Sequence, residues 1–101
     1  MAVKKKQQEI RVLLIEENEI IIDSLSEIMR SQGFNVITHK DPSQAINLMK
    51  GGSLSIVIVD DKCGSKEGLE LLEIAKKEVP AASRLLLTSR VNDDAVQSAV
   101  K

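Results

Sequence analysis

Ile56-Val57-Ile58-Val59 sets four branched apolar residues in succession and runs straight into Asp60-Asp61-Lys62-Cys63-Gly64. An uninterrupted apolar run bounded by turn signals reads as a strand buried on both faces, the kind found at the centre of a parallel sheet. In open α/β sheets, ligand sites form just beyond the C-terminal ends of the strands. Asp60 is therefore delivered to an edge where such folds do chemistry. The competing reading makes it only a cap for the loop that follows, with glycines at 64 and 68.

The rest of the chain supplies the other layers. Residues 1–9 form a polar, basic tail, and the domain spans 10–101. Ile10–Ile15 is a first, almost wholly apolar strand. Ile21, Leu25, Ile28 and Met29 then recur at helical spacing on one expected inward face, and Gly33 stops that helix. Phe34–Thr38 is a shorter, mixed strand that suits an edge. Asp41 caps a second helix with Pro42 at its first position, and Ala45, Ile46 and Met49 point inward before Gly51-Gly52. After the central strand, Leu69, Leu72, Ala75 and Val79 mark a third helix closed by Pro80. Arg84–Ser89 reads as a fourth buried strand. Asp93 or Asp94 opens a last helix carrying Ala95, Val96, Ala99 and Val100. Strict β-α alternation predicts a parallel sheet with helices on both faces.

Composition narrows the function classes. The chain has 101 residues, 43% of them apolar and 29% charged, which fits one soluble globular domain. A net charge of −1 gives no field for nucleic acid, and Lys4-Lys5-Lys6 reads as a solvated tail. A single cysteine, Cys63, precludes an internal disulfide and fits a reducing cytoplasm. No apolar run approaches the roughly 20 residues of a membrane span. Neither a G-x-x-x-x-G-K-[ST] loop nor a G-x-G-x-x-G turn is present, which argues against the standard nucleotide cradles. His39, the only histidine, is expected in a surface loop after the second strand.

A parallel sheet places all strand C-termini on one edge, so Glu16 and Glu17, Asp60, and Thr88 with Ser89 converge there. Carboxylates gathered in a small pocket repel one another unless a cation sits among them. Oxygen donors of this kind suit Mg²⁺, or Mn²⁺ in its place, bound through one or two carboxylates and a phosphate.

Together these residues resemble the receiver domain of two-component response regulators, a flavodoxin-like, doubly wound α/β fold. Ile15-Glu16-Glu17 stands where that family has an apolar residue and an acidic pair, and Asp60 where it has the phosphoacceptor. Gly68 falls at the usual spacing after it, Thr88-Ser89 matches the hydroxyl-plus-small pair, and Asp93-Asp94-Ala95-Val96 resembles the start of the fourth helix. The resemblance implies that Asp60 takes a phosphoryl group from a sensor histidine kinase or phosphotransfer protein. It further implies Mg²⁺ held by Glu17, Asp60 and the main-chain carbonyl of Lys62, with Glu16 behind them. Thr88 would grip a phosphoryl oxygen and move on phosphorylation. It implies a cytoplasmic signalling protein that assists its own phosphorylation, binding neither nucleic acid nor membrane.

Three features depart from the family pattern. The acidic pair is Glu-Glu, where at least one Asp is usual. Lys62-Cys63-Gly64 replaces the common residues after the phosphoacceptor, and a Lys62 ammonium that reached the pocket would compete with Mg²⁺ for the carboxylates. The fifth strand and helix, with the lysine that pairs with the phosphoryl group, have no counterpart before Lys101. A (βα)4 version of the usual (βα)5 fold, with sheet order 2-1-3-4, is therefore expected. Such a fold leaves one sheet face uncovered and predicts a homodimer through it. A second reading stays open, a pseudo-receiver that acts as a phosphorylation-independent interaction or dimerisation module. A flavin carrier has little support, because Phe34 is the sole aromatic residue.

Overall fold

The computed structural model describes residues 9–63 and 66–88. The expected last helix, Ser89 and the basic tail up to residue 8 lie outside the described residues.

Four main strands and three helices alternate: β1 (Arg11–Ile15), α1 (Glu19–Ser31), β2 (Asn35–His39), α2 (Pro42–Lys50), β3 (Ile56–Asp60), α3 (Gly68–Glu78) and β6 (Ser83–Leu87). Between β3 and α3 a small antiparallel ribbon, β4 (Lys62–Cys63) and β5 (Lys66–Glu67), occupies what reads in sequence as loop. The main sheet is wholly parallel, in the order β2-β1-β3-β6, which is the expected 2-1-3-4 arrangement. Among the described residues no helix is long and apolar enough to cross a membrane.

Side-chain alternation along β1 and β3 divides the core in two. Leu13, Ile15, Val57 and Val59 pack with Ala45 and Met49 of α2 and Leu71 and Ala75 of α3. Val12, Leu14, Val36 and Ile58 face the other way, against Leu25 and Met29 of α1. Both central strands are thus enclosed, as their apolar runs require.

Helix boundaries follow the local chemistry. The Asn18 side chain caps α1 by accepting from the N–H groups of Ile20 and Ile21. Gly33, at φ +91°, ends the helix as Gly33 donates to the Arg30 carbonyl and Phe34 to that of Met29, a Schellman pairing. Asp41 caps α2 through the Ser43 N–H, with Pro42 at the first position.

Three expectations are corrected. The buried stripe of α1 runs through Ile22 and Ser26, flanked by half-buried Leu25 and Met29, whereas Ile21 and Ile28 are exposed. Ile20-Ile21-Ile22 is apolar all round that turn, so its phase is ambiguous in sequence. Ser26 is tolerated inside because its hydroxyl donates to the Ile22 carbonyl at 2.6 Å. β6 is not buried on both faces: Leu86 packs under α3, but Leu85 is 51% exposed on the α1 side. Among the described strands β6 pairs only with β3, and α1 does not reach over Leu85. His39 closes β2 and is half-buried, its carbonyl accepting from the Glu16 N–H.

Candidate functional site

The C-terminal ends of β1, β3 and β6 open into a cleft of about 570 Å³ lined by Glu16, Asp60, Asp61 and Thr88. Its apolar wall comes from the first turns of α1, through Ile20, Ile21 and Leu25, with Leu87 of β6 opposite. Carboxylates far apart in sequence meet there because the strands that carry them end at one level. Ile15 pairs with Val59, and Asp60 with Leu87.

Glu16 is only 2% exposed. One of its carboxylate oxygens accepts from the N–H groups of Glu17 and Asn18, both at 3.1 Å. A carboxylate held this deeply requires such donors, and they fix the tight turn from β1 into α1. Glu17, one residue on, is exposed and is not among the residues lining the cleft.

Asp60 is half-buried at the last position of β3. Its neighbour Asp61, read in sequence as part of a loop, is a site residue in its own right. The Asp61 N–H donates to the Leu87 carbonyl at 3.0 Å, and its own carbonyl accepts from Gly68 N–H at 2.8 Å. Its carboxylate accepts from the Thr88 hydroxyl at 2.8 Å. Gly68 makes this packing possible: a Cβ there would fall 2.7 Å from Asp61 Cα and closer still to the Asp60 carbonyl oxygen. Lys62 begins the ribbon immediately after, paired with Glu67.

The structure therefore brings Glu16, Asp60 and Thr88 to one cleft, seats Gly68 beneath them, and leaves Glu17 outside the lining. No sequence pattern pointed to Asp61, because its hydroxyl partner lies 27 residues away.

Among the described residues no three Asp, Glu, His or Cys side chains stand close enough to form a metal cluster. Mg²⁺ does not need one; it is commonly bound by one or two carboxylates, a phosphate and several waters. The cleft's donors fit such a cation, and do not fit a metal held entirely by side chains.

Comparison with known proteins gives one consistent result. The family model for the response regulator receiver domain matches residues 12–101. The transcriptional regulatory protein CpxR of Escherichia coli K12 is 28% identical over 80 residues, covering 79% of this chain and 34% of CpxR. The chain spans between a fifth and little more than a third of the length of the curated relatives it matches. Among solved structures, the non-phosphorylated HemR receiver domain from Leptospira biflexa superposes with a TM-score of 0.82 at 24% identity, covering 91% of this chain and 74% of that one. A response regulator protein from Burkholderia pseudomallei, determined with a phosphorylated aspartic acid, calcium ion and citrate, gives 0.73 at 25% identity, over 79% and 47% of the two chains.

Proposed function

The chain belongs to the response regulator receiver domain family, and from that premise we propose that it accepts a phosphoryl group on Asp60 from a sensor histidine kinase or phosphotransfer protein. The observation that carries the reading is the meeting of Asp60, Glu16 and Thr88 in one cleft at the C-terminal edge of a parallel sheet.

In this reading an Asp60 carboxylate oxygen forms the new P–O bond as the P–N bond to the donor histidine breaks. The imidazole nitrogen leaves with the electron pair and takes up a proton. The Thr88 hydroxyl donates to a phosphoryl oxygen of the product. Mg²⁺ or Mn²⁺ would be held by Asp60, the main-chain carbonyl of Lys62 and Glu17, whose exposed side chain would have to turn into the cleft, and would supply the positive charge that lets an anionic nucleophile approach an anionic phosphoryl group. Glu16, bonded to the turn's N–H groups, shapes the site from behind, and Gly68 keeps the Asp60-Asp61 backbone in place. Ser89 completes the small-residue pair in this reading, which also places the protein in the cytoplasm without nucleic acid contact by this chain.

The test is intact mass after incubation with acetyl phosphate and Mg²⁺. One added phosphoryl group is expected, absent from Asp60→Asn and from a metal-free control. A folded wild-type chain that takes none would instead support the interaction-module reading, which the exposure of Glu17 outside the cleft favours.

We further propose a homodimer through the α1 side of the sheet. Ile28 of α1 is 60% exposed, and Leu85, 51% exposed, lies on the side of the sheet that α1 covers. Exposed apolar groups collected on one face mark an association surface.

A further inference from the structure

We propose that Asp61 is a positioning residue that holds the Thr88 hydroxyl in the unmodified domain and thereby lowers phosphoryl occupancy at Asp60. The proposal rests on Asp60 being the phosphoacceptor.

Asp61 is fixed by main-chain bonds on both sides, its N–H to Leu87 and its carbonyl from Gly68. The main chain at Asp61 is thus tied to β6 on one side and to the start of α3 on the other. From there it accepts the Thr88 hydroxyl proton at 2.8 Å, in a half-buried setting. Hydrogen bonds to a charged acceptor in such surroundings are shorter and stronger than neutral ones. A hydroxyl has one proton to give. Once given to Asp61, it is not available to a phosphoryl oxygen on Asp60, which lines the same cleft. Phosphorylation must therefore exchange one charge-assisted bond for another, and the gain is smaller than for a hydroxyl with no such competitor.

The test uses the full chain with acetyl phosphate and Mg²⁺, following the adduct by intact mass during loading and after the phosphodonor is removed. Asp61→Ala removes the acceptor. Asp61→Val does the same and serves if the alanine variant fails to fold, since the main-chain bonds of Asp61 survive both. Asp61→Asn keeps an oxygen for Thr88 while removing the charge. Thr88→Ala and the Asp61→Ala/Thr88→Ala pair close a double-mutant cycle.

The expected result is a rise of about tenfold in adduct occupancy or lifetime for Asp61→Ala. Asp61→Asn, which keeps an acceptor but not the charge, should give a smaller rise than Asp61→Ala, and the gain should vanish when Thr88 is absent. An adduct seen only after Asp61 is truncated counts as the same result. If wild type forms an adduct that Asp60→Asn abolishes, the phosphoacceptor reading stands. The proposal then falls if Asp61→Ala changes nothing, if Asp61→Asn behaves like alanine, or if the gain persists without Thr88. No adduct on any folded variant overturns both.

Discussion

Gly68 shows how one missing side chain can hold a site together. Its backbone lies against the turn out of β3 so closely that a methyl group would meet main-chain atoms of Asp60 and Asp61 and the Leu86 side chain at 2.8 Å. Backbone cannot rotate away as a flexible side chain can. Gly68→Ala is therefore expected to cost about 1–3 kcal/mol, as overpacking does. The urea midpoint should fall while the denaturant slope stays constant. A variant as stable as wild type would show that α3 can shift away from β3. The spacing of Gly68 after Asp60 is visible in the sequence; its cause is not, because Leu86 comes from another strand. Asp61 stayed hidden for the same reason. Beside Asp60 it looks like the first residue of a loop, and only the pairing of β3 with β6 brings Thr88 to it.

At the scale of elements, what could be read in advance were features with a local cause. Unbroken apolar runs give the central strands their type and a period of 3.6 gives the helices theirs, and Asn18, Gly33, Asp41 and Pro42 set ends through bonds within a few residues. Asn18 is the clearest case, since its one oxygen serves two N–H groups at 2.9 and 3.3 Å. Asn18→Ala is expected to lower stability by about 1 kcal/mol, read as a lower melting temperature by circular dichroism. An unchanged melting temperature would mean that solvent satisfies that turn equally well. Facing is a different matter. Which side of α1 meets the sheet depends on where β1 and β2 lie beneath it, and the run Ile20-Ile21-Ile22 is compatible with more than one answer. β6 misleads similarly: Leu85-Leu86-Leu87 has the composition of an enclosed strand, yet enclosure is decided by what lies over it. The short ribbon at Lys62–Cys63 and Lys66–Glu67 has too few residues to show any period.

For the whole molecule, the two faces of the sheet differ. One carries the broader cluster under α2 and α3; the other has α1 alone among the described helices, with Ile28 and Leu85 in the open. If a second copy covers that side, replacing both with glutamate should convert a dimer into a folded monomer in sedimentation velocity. Both side chains are already exposed, so the fold itself should tolerate the change. A wild-type chain that sediments as a monomer at its highest soluble concentration removes the dimer proposal. The parallel sheet has a further consequence, in the order of events as the chain folds. Val12 pairs with Ile56 across α1, β2 and α2, and Ile56 with Ser83 across α3, so each central pairing must close a long loop before it forms. No fragment ending before β6 brings Asp61 and Thr88 together. The Asp61 amide, bonded to Leu87 across that last pairing, should therefore be protected from hydrogen exchange only in the fully assembled sheet. A nascent or partly opened chain carries Asp60 without the cleft that surrounds it in the assembled sheet.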